Sequence, residues 1–432
     1  LLAGADLGGQ RRSCDARCDR MPPPMHERAW RVYPYRWVVL AVYMLIQLTM
    51  QTLWIGFAPI IGVAAAFYRV SDLQIGFIAM SFMIVYVPVS IPASWLIDRL
   101  GIRRAVGAGA VLAGGFGLLR GVQGASYGWV LVWSIGIAVT QPLLLNSITT
   151  VAARWFPVSE RATATALALM ANFLGTGIGQ VASPPLTERM GVPGMLLVFG
   201  GGAAIAGVAF VLLVRDAPPT PPCPPGNEAR ALVLDGLGRV VRMPAMWSLL
   251  AVAFLGQGIF NGIATWIEDI VRPSGITPDQ AGTLGGLLLA GALVGAIGFS
   301  LASDRLRRRK PFLVLGMCCA APSVAGAAWA TSYTGYAAAF VALGIFLVGA
   351  APILFQYAAE ITLPAPEGTS SGLLNLVGQI SVVFVYAMQW LRSADGSFRV
   401  SLLVAAALLA VSPVLVVRLR ESEVVSPGGV RG

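Results

Sequence analysis

Neutral amides and one tryptophan, set at helical spacing inside long apolar runs, are the residues of this chain best suited to chemistry. Gln47, Gln51 and Trp54 are spaced by four and three, and Gln257, Asn261, Thr265 and Glu268 by four, four and three, so each set shares one helix face. Gln141, Asn172 and Gln379 also lie near the midpoints of their runs. Amides donate and accept hydrogen bonds, and an indole face attracts a cation by about 0.5–2 kcal/mol. A polar stripe on a membrane helix faces protein or water rather than lipid. An isolated buried amide can equally bridge helices, worth about 0.6 kcal/mol. Nothing resembles an acid–base pair or a nucleophilic triad, and the single histidine, His26, lies in the N-terminal tail. Binding and release, not catalysis, is the expected chemistry. Cys14, Cys18, Cys223, Cys318 and Cys319 lack the paired spacing of a zinc site or disulfide framework, so no metal and no cofactor is expected. The glycine-rich stretches 107–117 and 282–298 lie inside apolar runs and read as close helix packing, not phosphate loops.

Those residues need membrane helices to hold them. Of 432 residues, 56% are apolar and 12% charged, and the mean hydropathy is +0.75. A soluble protein of this size carries roughly twice that charge. Runs of about 20 apolar residues, the length that crosses a bilayer core, fall at 37–64, 73–96, 105–122, 128–152, 163–186 and 194–214. Six more fall at 245–271, 280–302, 311–331, 336–359, 370–391 and 398–418. An all-α membrane protein of twelve transmembrane helices in two six-helix halves is expected. Its parts are an N-terminal tail (1–36), a first half (37–215), a linker (216–243), a second half (244–418) and a C-terminal tail (419–432). Residues 1–20 resemble nothing structural, and Met21 or Met25 is the expected natural start. The linker is Pro-rich at 216–225 and could form a short interfacial helix at 231–241.

Basic residues set the orientation. With both termini cytoplasmic, 24 of the 30 lie in inner segments, leaving Arg69, Arg120, Arg189, Arg272, Arg392 and Arg399 outside. The net charge of +10 is therefore a topology signal, and nucleic acid is not an expected partner. The expected partners are the lipid bilayer and a small-molecule substrate, for a monomer in the cell's inner or plasma membrane.

A charged element repeats at half the chain length. Asp98-Arg99-Leu100, followed by Arg103 and Arg104, recurs 206 residues on as Asp304-Arg305-Leu306, followed by Arg307, Arg308, Arg309 and Lys310. Pro157 and Glu160 are echoed by Pro364 and Glu367, Gln51 by Gln257, and Asn172 by Gln379, at offsets of 206 or 207. A shared offset implies parallel duplication, with the substrate site between the halves. Asp98, Arg99, Arg103, Asp304, Arg305, Glu160 and Glu367 are candidate gating residues at the inner face, and Glu268 at the outer. A merely topological role for these arginines is the alternative.

The two loop elements resemble the signature of the major facilitator superfamily, which implies a charge latch that holds one conformation and releases in another. Closer resemblance lies in Gln51-Thr-Leu-Trp54-Ile-Gly-Phe-Ala-Pro59, in Trp155-Phe156-Pro157 through Thr165, and in Pro366-Glu367-Gly-Thr-Ser-Ser-Gly-Leu-Leu-Asn375. These are similar to the feline leukaemia virus subgroup C receptor-related family, solute carrier family 49. That resemblance implies facilitated transport of small metabolites, chiefly choline and ethanolamine. It implies Trp54 for the ammonium and Gln379 for the polar end, whereas Asn261 stands where the family has an aromatic residue and Phe173 where it has glutamine. Phe57, Phe173, Trp266 or Tyr357 could rebuild the aromatic cage. The expected substrate-binding set is Trp54, Gln51, Gln379, Gln257, Asn261, Gln141, Phe173 and Trp266. A proton-coupled exporter of drugs or organic anions should need a charge at mid-membrane, and a non-transporting receptor or sensor need not keep both loop elements; both remain alternatives.

Overall fold

The computed structural model describes residues 32–220, 238, 240–362 and 367–421. Eleven helices among them are long and apolar enough to cross a membrane. We label them α1 (Arg36–Tyr68), α2 (Asp72–Leu100), α3 (Ile102–Val122), α4 (Tyr127–Trp155), α5 (Val158–Leu213), α6 (Pro244–Thr265), α7 (Pro278–Leu306), α8 (Lys310–Trp329), α9 (Tyr333–Ile361), α10 (Thr369–Trp390) and α11 (Arg399–Val417). The helix expected at 231–241 falls largely outside the described residues, as do His26, Cys14, Cys18, Cys223 and the Glu367 side chain.

α5 has 56 residues, about 84 Å at 1.5 Å per residue, far more than one bilayer core needs. It turns at Gly191, whose φ of 72° and ψ of 172° belong to no helix. α1 is interrupted at Ala58–Ile60, where Pro59 cannot donate to the helical ladder. α6 breaks at Trp266 before a short helix, Ile267–Val271.

The repeat extends to the backbone. α2 and α7 both have 29 residues and both open on a capping box, Ser71 with Gln74 and Thr277 with Gln280. Left-handed φ values recur at the same interval: Arg69 with Gly275, Gly101 with Arg307, and Gly191 one residue out of step with Gly396. Arginine tolerates positive φ poorly, so the sign of φ is the shared feature, not residue type; ψ differs, at 172° for Gly101 and 46° for Arg307.

Small residues bring the helices together. A side chain at Gly175 would strike the Leu48 backbone of α1, and side chains at Gly291 and Gly295 would strike α9 at Val341 and Ile345. Gly282 and Gly285 of α7 accept Gln180 of α5, which is wholly buried and donates from Nε2 to the Ala264 carbonyl of α6 at 2.9 Å. One expectation is corrected. Arg120 is no outer-loop residue but lies within α3, with no exposed surface, donating to the Leu53 carbonyl at 3.0 Å and facing the Phe57 ring at 5.9 Å. Phe57 is thereby taken from the candidate cage.

Candidate functional site

A cavity of about 200 Å³ lies between the helices of residues 32–220 and those of 244–421. Pockets that take drug-sized ligands run to about 300–1,000 Å³, so this volume suits something smaller. α1 brings Gln51 and Trp54 to its wall, α4 Gln141, α5 Asn172 and Phe173, α6 Gln257 and Asn261, and α10 Asn375 and Gln379. Phe260, Phe346, Phe355 and Tyr86 supply further aromatic surface. Among the described residues the lining holds no carboxylate, guanidinium, amine or imidazole. The indole of Trp54 is fixed by a 3.2 Å hydrogen bond from Nε1 to the Ala79 carbonyl, so its face cannot swing freely. Gln51 Oε1, Gln141 Oε1 and Asn172 Oδ1 are buried with no hydrogen-bond partner among the described residues.

Seven of the eight expected substrate residues thus meet in one cavity. Trp266 does not. Its ring is wholly buried against Gly76 and Phe398, and Nε1 donates to the Val385 carbonyl at 2.8 Å. It follows the break after Thr265, beyond the stretch of α6 that carries Gln257 and Asn261 to the cavity. Gln47, on the expected stripe of α1, instead ties helices together, donating to Tyr43 Oη at 2.9 Å and the Leu144 carbonyl at 3.2 Å. Tyr357 does not join the cage either; its hydroxyl caps the Arg420 carbonyl.

At the Asp72 end of the bundle, charged side chains tie the two segments together. Arg272 Nη2 lies 2.6 Å from Glu268 Oε2 and 2.6 Å from Asp269 Oδ1, and Nη1 is 3.1 Å from Asp72 Oδ2. Arg392 Nη1 reaches Asp72 Oδ2 at 3.2 Å and Asp269 Oδ2 at 4.0 Å. Glu268 Oε2 also accepts from the Gly62 amide at 2.7 Å. Glu268, a candidate gate, therefore belongs with its neighbour Asp269 to a cluster whose other members, Asp72, Arg272 and Arg392, carry no such mark in the sequence. The one available signal was the i,i+4 spacing of Glu268 and Arg272.

With all five groups ionised the cluster carries one excess negative charge. Asp269 bears the strain: its Oδ1 contact with Arg272 lacks hydrogen-bond alignment, and no part of it reaches solvent. Burial pushes its carboxyl up to about 7, against the pull of Arg272 and Arg392 and with help from Asp72 and Glu268. A carboxyl raised in the closed arrangement stabilises it fully below the ordinary value, near 4. That stabilisation is lost as pH rises through about 7. Opening at the Asp72 end should therefore become easier between pH 4 and 7, and Asp269→Asn should flatten the dependence. Spectroscopic distances across that end, followed against pH, check this.

At the Asp98 end, the ion pairs among the described residues stay within one segment. Arg36 pairs with Glu160 at 3.0 Å. Arg309 meets Asp304 at 2.6 Å and Glu360 at 3.2 Å, and its amide donates to Glu421. Burial opposes the Arg309 charge, but Asp304 and Glu360 outweigh it and hold the group above its usual value. Arg305, a candidate gating residue, is exposed; the left-handed turn at Arg307 points the chain so that Arg309 folds back on Asp304. Arg99 lies over the Trp95 ring at 5.0 Å, and the backbone amide of Arg103 donates to Asp216 Oδ1 at 2.8 Å. Asp98 is half-buried at the end of α2. The cavity wall reaches Ile148 on α4 and Phe355 on α9, toward this end.

The Major Facilitator Superfamily model matches residues 39–386, and again 268–432. Solute carrier family 49 member A3 of Xenopus tropicalis is 30% identical over 380 residues, covering 83% of this chain and 78% of that protein. The chain belongs to the major facilitator superfamily, within solute carrier family 49. This family consists of transporters, not enzymes. The choline/ethanolamine transporter FLVCR1 of Mus terricolor is 29% identical over 416 residues, covering 88% of this chain and 73% of the relative. Among solved structures, a bacterial homologue of the human lysosomal transporter Spinster, inward-facing and unoccupied, matches with a TM-score of 0.70 at 18% identity. It covers 89% of this chain and 97% of its own. At that identity the likeness concerns the fold.

Proposed function

We propose that this family 49 member carries a small amine by alternating access, as a facilitator. Counting the two limbs of α5 separately at Gly191 gives twelve crossings in two six-helix halves, with residues 216–243 as the linker and both termini cytoplasmic by the distribution of basic residues. The observation that carries the reading is a charge-free cavity between the halves, walled by Trp54 and amides. An anion would want a cationic wall, and a proton-driven carrier a carboxylate within it; among the described residues this lining has neither. The Asp98 and Asp304 elements and Glu160 serve as parts of an inner gate, and the Glu268 cluster as the outer one. Choline and ethanolamine, named for the FLVCR relatives, are the first substrates to try.

Uptake into proteoliposomes tests this. Amine entry that persists without a proton gradient is expected; collapse without the gradient refutes the facilitator. Trp54→Ala should weaken cation binding about 2- to 30-fold, the equivalent of roughly 0.5–2 kcal/mol. Trp54→Phe, which keeps a ring, should lose less. Isothermal titration of the folded variants is the check.

A further inference from the structure

The three orphaned oxygens sit close in depth. Gln47 of α1 meets the Leu144 carbonyl of α4, and those helices run in opposite directions. One turn toward the Asp72 end from that contact are Gln51 on α1 and Gln141 on α4. Thr52 of α1 meets the Gly175 carbonyl of α5 at 2.9 Å, and Asn172 lies one turn back from it toward the Asp98 end. The three amides thus lie within about one helical turn of depth, roughly 5 Å, on three helices of residues 32–220 that line the same cavity. Gln141 is 3% exposed, so its oxygen has left bulk water without a protein donor in exchange. A buried acceptor in that condition favours a ligand that brings a donor.

Resting on the amine-carrier reading, we infer that the Gln51, Gln141 and Asn172 wall selects primary ammonium over quaternary ammonium. An –NH3⁺ group carries three donors for three acceptors, and bonds to a charged donor are the stronger kind. A quaternary nitrogen has no N–H. Its methyl groups would cover the oxygens and leave them desolvated and unpaired, the circumstance in which a site rejects an analogue most strongly.

Thermal stabilisation of the purified full-length protein by four alcohol-amines differing only in N-methylation decides the matter: ethanolamine, its N-methyl and N,N-dimethyl derivatives, and choline. The half-saturating concentration should rise with each methyl, by about tenfold or more across the series, as for loss of one charged hydrogen bond. Gln141→Leu and Asn172→Leu should bring the ethanolamine-to-choline ratio toward one, by weakening ethanolamine more than choline. A flat or reversed series in the unaltered protein overturns the selectivity, and the oxygens then serve only water; binding by choline alone does so while leaving the amine-carrier reading intact. If none of the four stabilises the protein or enters proteoliposomes, that reading fails and the selectivity falls with it.

Discussion

Replacing Arg272 by Gln should open the Asp72 end of the transporter and lower its stability by about 2–3 kcal/mol. Glu268 and Asp269 are 3% and 0% exposed, and Arg272 is the group closest to both. Removing one member of a buried pair costs about 3–5 kcal/mol because the other is left charged and dry. The Arg272 side chain is 34% exposed, so water screens part of the loss and the lower figure applies. Lysine should rescue only in part, since a point charge cannot reach Glu268, Asp269 and Asp72 together as a planar guanidinium does. Arg272→Gln combined with Glu268→Gln should recover some stability by removing one stranded charge. The conformational readout is a cysteine at Thr265, 1% exposed behind the cluster, in a background with the five native cysteines replaced. Its reaction with an impermeant maleimide added from the Asp72 side should accelerate in the variant. Unchanged labelling and an unchanged unfolding midpoint would show that the cluster does not hold this end shut.

Gly76→Ala should open the same end by a different route. A Cβ at Gly76 of α2 would overlap ring carbons of Trp266 from the opposite segment. That ring cannot retreat, because its nitrogen is bonded to Val385 and its far face packs on Phe398. Overpacking of this kind costs about 1–3 kcal/mol, and here it is relieved by separating the segments. The two variants are distinguishable by salt. Arg272 and Asp72 are part-exposed, so some of the effect of the Arg272 variant should shrink as ionic strength rises, whereas a steric wedge should be indifferent. Gly76→Ala with Trp266→Leu should be much milder than the sum of the two, since they share one contact. Additive effects in thermal unfolding would mean the contact is not the cause.

The central residues were legible because they depend on local periodicity. Gln51 and Trp54 share a face of one helix wherever that helix goes, and a run of amides must face protein or water. Residues whose roles depend on a break or turn were not. Trp266 lies at the break that ends α6 at Thr265, and its ring is spent on packing against Gly76 and Phe398. Arg305 sits in the repeated triplet, yet the turn at Arg307 hands the pairing with Asp304 to Arg309. Arg120 was counted by topology as a loop residue although α3 encloses it.

What the chain determines alone is what nearest neighbours decide: apolar runs long enough to cross a bilayer, the capping boxes at Ser71 and Thr277, and an interval near 206 that links sequence and backbone alike. Only the tertiary structure brings Asp72, Asp269, Arg272 and Arg392 into one cluster, or turns Gln51, Gln141 and Asn172 toward one space. The reason is physical. A helix needs only its own backbone and side chains to choose its length and faces, whereas a site between halves is set by packing of residues up to 320 positions apart, such as Asp72 and Arg392. No spacing rule connects those positions until the helices have met.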